Sequence, residues 1–202
     1  MRLYYAPGTC SLAPHIVIRE AGLDVALERV DLKAKRTADG RDYKTINPMG
    51  AVPALELANG ELLTENAVLL QYLAAQAPEK KLAPTGEGIE RWRSMELLNF
   101  IATELHKGFS QLFAHPPEEW RAKAADKIAG RFALLDEKLG DKPYLMGDFT
   151  VADAYAFVML TWAGKFEIDL SVYPRLIEYF ARLRQRPSVQ RALREEGLPT
   201  EA

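Results

Sequence analysis

The spacing of apolar and polar residues changes character along the chain. Leu3-Tyr4-Tyr5 is a short apolar run, the stretch 12–21 carries helical spacing, and Val25-Ala26-Leu27-Glu28-Arg29-Val30 reads as a strand, so the opening predicts a β-α-β unit. Gly22 supplies the left-handed residue that closes such a helix. The turn Asn47-Pro48-Met49-Gly50 leads into a further strand from Val52 to Leu57. Asn59-Gly60 predicts a type I′ hairpin that pairs residues 54–57 with 61–63. A helix over 65–77 comes next and stops at Pro78.

From Pro78 to Gly88 the periodicity is lost in a run of Pro, Gly, Lys and Glu. Beyond it every segment reads helical: 89–114, 118–139, 150–165, and 174–196 with a break at Pro187. The expected organisation is an α/β domain over 1–80, a linker over 81–88 and an all-helical domain over 89–202.

Composition narrows the function. The 26 basic residues against 28 acidic ones leave a formal charge of -2. Nucleic-acid binders draw affinity from a basic excess, so that class is disfavoured. No stretch approaches a membrane span, and the N-terminal residues lack the apolar run of a signal peptide, so a cytoplasmic protein is expected. The single cysteine forms no internal disulfide, and His15, His106 and His115 have no second thiol with which to build a zinc site; no metal is expected.

That cysteine, Cys10, lies in Pro7-Gly8-Thr9-Cys10-Ser11-Leu12, where a strand turns into a helix. Helix N–H groups there favour a thiolate. A small buried hydrophobe fits the motif equally well. The spacing around Val52-Pro53 favours a trans bond, and a cis bond would turn the Val52 backbone outward for an extended peptide. Glu65 and Asn66 open a helix with Thr64 before them, which suits a ligand carrying both ammonium and carboxylate, or an acidic first turn with no ligand. Asn99, Thr103, His106 and Ser110 make a polar stripe at helical spacing, solvated or lining a cleft, with Lys107 beside it. Thr150 and Asp153 read as a capping box with a structural role. Trp162 reads first as core.

In order along the chain, Tyr4-Tyr5-Ala6-Pro7-Gly8-Thr9-Cys10-Ser11-Leu12 with Pro14-His15, Asn47-Pro48-x-Gly50-x-Val52-Pro53, Leu63-Thr64-Glu65-Asn66, Leu98-Asn99-Phe100, Glu104-Leu105-His106-Lys107 and Thr150-Val151-Ala152-Asp153 resemble the cytosolic glutathione transferases, in particular the bacterial beta class that uses cysteine. The resemblance spans the chain. It implies a thioredoxin-like N-terminal domain with a cis-proline at Pro53, a helical C-terminal domain and a homodimer. It implies conjugation of glutathione, the co-substrate, to hydrophobic electrophiles. Cys10 and His106 would be the catalytic residues, and Cys10 could carry glutathione as a mixed disulfide in thiol exchange. Val52 would pair its backbone with the cysteinyl part, Glu65 and Asn66 would hold the γ-glutamyl end, and Lys35 with His106 would lie near the glycyl carboxylate or thiol. Asn99 and Glu104 would approach from the partner subunit or the domain interface. His106, Lys107 and Trp162 would border the hydrophobic-substrate pocket. Tyr5 and Ser11 would support the thiolate. The alternative is a non-catalytic regulator or ligand carrier on the same fold.

Overall fold

The computed structural model describes residues 1–201. They form two compact units: Met1–Leu82 together with the segment from Arg186 on, and Ala83–Gln185. The first is thioredoxin-like. Strands β1 (Arg2–Tyr5), β2 (Ala26–Asp31), β3 (Arg36–Thr37), β4 (Ala54–Glu56) and β5 (Leu62–Leu63) lie in the order β3-β2-β1-β4-β5. β1 and β2 are parallel, which requires a crossover, and α1 (Leu12–Ala21) supplies it. β4 runs antiparallel to β1 with Leu3 opposite Leu55, both fully buried. Tyr4 points to the other face and packs with Val30, Tyr43, Val52 and Ala54. Gly22 closes α1 with φ +69, and its N–H reaches the Ile18 carbonyl.

One local expectation changes, and one short strand was not foreseen. The hairpin pairs as anticipated, but Gly60 alone has positive φ, and its N–H bonds to Leu57 O while Leu57 N–H bonds to Glu61 O. That is a three-residue loop closed by a left-handed glycine, not a type I′ turn, which needs positive φ at Asn59 as well. β3 is two residues long, too short to show any period.

The larger difference concerns the C-terminus. Helix α8 (Pro187–Glu196) belongs to the first unit and packs on α1, although the helical domain was expected to run to residue 202. The cause lies in α1, where Leu12 to Ile18 are all buried, so α2 (Asn66–Ala75) on one side leaves a second side to cover. α8 covers it with Val189, Ala192 and Leu193. Polar latches flank that contact: Arg186 and Ser188 donate to the Glu20 carboxylate, and Arg19 pairs with Glu195 at 2.6 Å.

The second unit is all-helical: α3 (Ile89–Phe100), α4 (Lys107–Phe113), α5 (Glu118–Leu139), α6 (Val151–Lys165) and α7 (Pro174–Arg184). α6 is apolar all round and is its central helix, with every residue from Val151 to Leu160 buried. Between α3 and α4 the expected continuous helix widens into a π turn over Ile101–His106, where the Lys107 N–H reaches the Ala102 carbonyl. Of the expected polar stripe, Asn99, Thr103 and Ser110 are exposed and His106 is half-buried, and the Thr103 and Ser110 hydroxyls donate to the carbonyls of Asn99 and His106.

Asp153 anchors α6. Its Oδ2 accepts from Thr150 N–H at 2.7 Å and Thr150 Oγ1 at 2.9 Å, and its Oδ1 accepts from Leu145 N–H at 2.9 Å and Tyr179 Oη at 2.7 Å. The capping box expected at Thr150 and Asp153 is present, with the Thr150 side chain facing the Asp153 N–H and the Asp153 carboxylate accepting from the Thr150 N–H; the threonine hydroxyl also donates to that carboxylate. Burial pushes the Asp153 carboxyl above its usual range against these four donors. Asp153→Ala strands four buried donors, at a cost of about 3 kcal/mol or more. Urea unfolding should show that loss; a loss below about 1 kcal/mol would contradict the assignment.

Candidate functional site

The turn before α1 is built by Pro7 and Gly8. Thr9 N–H bonds to Ala6 O at 3.2 Å, and Gly8 has φ +68, the arrangement of a type II turn with proline second and glycine third. Ser11 locks this turn: its Oγ accepts from Ala6 N–H at 3.1 Å and lies 2.8 Å from Thr9 Oγ1. The Ser11 hydroxyl is thus part of the turn's own scaffold, which argues against the direct support of a thiolate expected of it. Tyr5 is buried in β1, and that burial, then the Glu196 carboxylate, raises its phenol pKa.

Cys10 follows the turn. Its Sγ donates to Val52 O at 3.2 Å, and its own carbonyl accepts from Asn66 Nδ2 at 3.1 Å. Burial pushes the thiol up to about 12, although the N–H groups of Cys10 and Ser11 pull the other way; the Glu65 carboxylate raises it further. The helix start was expected to favour a thiolate. Desolvation outweighs it, and Cys10 is a neutral thiol at physiological pH.

Val52 and Pro53 are joined by a cis peptide bond. The loop before them is pinned at Ala51, whose carbonyl accepts from Tyr43 Oη at 2.9 Å and Asn47 Nδ2 at 2.8 Å. Lys35, itself at φ +55, donates from Nζ to Gly50 O at 2.8 Å. Glu65 has φ +67 and is exposed, and its carbonyl begins α2 by accepting from Val68 and Leu69. Asn66 is buried with its Oδ1 unpartnered. Cys10, Val52, Pro53, Glu65 and Asn66 thus come together, with Lys35 tied to the same loop through Gly50.

The remaining candidates lie in the second unit. His106 ends the π turn with Nδ1 2.6 Å from Tyr155 Oη, and its ring meets Trp162 edge-on at 5.3 Å. Burial, then the Lys107 charge, lowers its pKa to about 4, so His106 is a neutral hydrogen-bonding group and not a cation. Trp162 is 4% exposed and packs against Phe109 and Phe113, which makes it core rather than a pocket wall. Glu104 pairs with Arg131 at 2.6 Å. Asn99 and Lys107 are exposed. Among the described residues no group of three or more His, Cys, Asp or Glu could hold a metal ion.

Three residues that hold the site went unnoticed as functional in the sequence: Tyr43, His15 and Glu196. Tyr43 carries no local motif. His15 and Glu196 are 181 positions apart, and their hydrogen bond exists only once α8 has packed on α1.

Sheet, turn, thiol and cis-proline loop define a thioredoxin-like thiol site, followed by an all-helical unit. Residues 8–76 match the family model for the glutathione S-transferase N-terminal domain, and residues 100–187 match that for the C-terminal domain. The chain is 44% identical to glutathione S-transferase GstA of Escherichia coli O157:H7 over 98% of its own length and all of the relative's. It is similar to a sphingomonad glutathione S-transferase solved in complex with glutathione and to the bacterial beta-class enzyme of Sphingomonas chungbukensis. Each is 44% identical with TM-score 0.94, over 98% of this chain and all of the other. The chain belongs to the glutathione S-transferase family.

A buried neutral thiol alkylates slowly. Iodoacetamide at about pH 8 should modify Cys10 roughly a thousandfold more slowly than a free cysteine peptide, with a rate still climbing above about pH 9. A rate that levels off near pH 8 to 9 would contradict the raised pKa.

Proposed function

We propose that this chain is a glutathione transferase in which Cys10 acts as a neutral hydrogen-bond donor to the thiolate of bound glutathione. The observation that carries this reading is the placement of Cys10 in a chain of this family: its buried thiol donates to the Val52 carbonyl, and burial favours the protonated form. Turned toward a bound thiolate, the same S–H supplies the donor that a tyrosine or serine hydroxyl would. The thiolate sulfur then forms a bond to an electrophilic carbon, and the leaving group departs with its electron pair. Attack by Cys10 itself, as thiol exchange requires, needs an anion that burial disfavours, so conjugation is the favoured use.

The other assignments rest on the geometry. The Val52 carbonyl accepts from the Cys10 thiol and has a second lone pair for the backbone of an extended peptide. Glu65 holds an uncommon left-handed conformation for a residue with a side chain, a strain of about 1–3 kcal/mol that fits a binding role for the γ-glutamyl ammonium. Asn66 sets that end of the cradle through Cys10. Lys35 uses one of its three N–H donors on Gly50 and keeps two for the glycyl carboxylate. Within the second unit, His106 is a neutral hydrogen-bonding group, Glu104 is ion-paired to Arg131, and Asn99 and Lys107 are exposed.

A cytoplasmic detoxifying homodimer is consistent with this reading. The exposed apolar face of α3, with Ile89 at 62% and Trp92 at 55% exposure, suits contact with a second copy. No described helix is long and apolar enough to cross a membrane.

Steady-state conjugation of glutathione to an activated aryl halide tests the function. The wild type should turn over with saturable dependence on glutathione, and Glu65→Ala should raise the glutathione KM by roughly tenfold with kcat nearly unchanged. Absence of glutathione binding at millimolar concentration by calorimetry would overturn the reading.

A further inference from the structure

The C-terminal helix ends on the turn that carries Cys10. Gly197 stops α8 in the left-handed conformation, and the Leu198 N–H bonds back to Leu193 O at 2.8 Å. Leu198 then lies over Gly8, where a Cβ would meet its Cδ2 at 3.5 Å. The last residue of the helix, Glu196, is buried. Its Oε2 accepts the Gly8 N–H at 2.9 Å and its Oε1 bonds to His15 Nδ1 at 2.9 Å. The other ring nitrogen of His15 lies 2.8 Å from Glu195. One carboxylate therefore joins the turn before Cys10 to the helix after it.

The Gly8 N–H belongs to the central peptide of the Ala6–Thr9 turn. In a type II turn that peptide is the one whose flip gives a type I turn, and its N–H is not used by the turn's own hydrogen bond. A glycine at this position tolerates either form, so the turn alone does not fix the peptide. The carboxylate does, because a flip would withdraw the N–H and leave a buried acceptor facing a carbonyl.

We propose that Glu196 is a positioning residue for Cys10: by holding the Pro7–Gly8 peptide it fixes the turn that sets where the thiol points, so the C-terminal helix is part of the active-site framework. This rests on the reading of Cys10 as the residue that faces glutathione. The role is separate from the general docking of α8, which Glu20 with Arg186 and Ser188 secures at the opposite end of the α1 contact.

The test compares Glu196→Ala, Glu196→Gln and the docking control Glu20→Ala. For each, the iodoacetamide alkylation rate of Cys10 and the glutathione KM and kcat are measured well below the melting midpoint. Glu196→Ala should speed alkylation on the order of tenfold, as the buried thiol becomes intermittently accessible, and raise the glutathione KM. Glu196→Gln should restore both, since its amide oxygen accepts from Gly8 while its NH2 faces His15. Glu20→Ala should lower the melting midpoint with both readouts unchanged. The proposal is overturned if Glu196→Ala leaves alkylation and KM within about twofold of the wild type, or if Glu20→Ala moves them equally. If Glu196→Ala does not fold, Glu196→Asp is read by the same criteria, because its carboxylate is one methylene too short to reach both partners. The alkylation arm needs no turnover, so a wild type inactive with glutathione would sink the proposed function and still leave the role of Glu196 decided.

Discussion

Cys10 ties three separate segments of the first unit together. Its sulfur holds the carbonyl of Val52 in the cis-proline loop, and its own carbonyl holds the Asn66 side chain at the start of α2. The start of α1, the loop before β4 and the start of α2 are thereby fixed to one residue. The tie also buries the thiol, and burial decides its chemistry. A rise from 9.0 to about 12 amounts to roughly 4 kcal/mol in favour of the neutral form, more than the at most about 1 kcal/mol that an exposed helix terminus offers the anion. A thiol that stays protonated is a donor first and a nucleophile second.

The scaffold around this residue is unusually non-local. Tyr43 and Asn47 converge on Ala51 to hold the loop that ends in Pro53, and Glu196 arrives from the far end of the chain to hold the turn. The His15 ring lies between two carboxylates of α8, of which Glu195 is held at about 2: burial pushes it up, and hydrogen bonds from Arg191, His15 and Arg19 more than reverse that. Helix α8 therefore does two things at once. It covers the second side of α1, and it delivers a buried acceptor to the N–H of the type II turn whose orientation the turn itself leaves open.

Much of this was legible in the sequence, because it depended on local signals. Gly22 marked the end of α1, the Asn-Gly pair marked the hairpin, and Pro187 marked the break before α8. The clustered motifs at Cys10, Pro53 and Asn66 fall on segments that the fold brings together. The features that were not legible depended on burial or on distant partners. Helix-start electrostatics suggested a thiolate because desolvation of Cys10 cannot be read from its neighbours in sequence. Trp162 could be placed in a pocket only while its packing partners Phe109 and Phe113 were unknown. The π turn left no trace in periodicity, since one extra residue in a helical turn resembles ordinary scatter. The placement of α8 was missed because a helix after a break reads the same whichever unit it covers.

The central claim is that a protonated Cys10 donates to the glutathione thiolate. The most direct measurement is the pH titration of the bound thiol by its thiolate absorbance, in the wild type, Cys10→Ala and Cys10→Ser. The account predicts that Cys10→Ala raises the pKa of bound glutathione by about one unit or more, the loss of one hydrogen bond to an anion, and that Cys10→Ser keeps it near the wild-type value. A bound thiol that titrates identically in Cys10→Ala and wild type would contradict it.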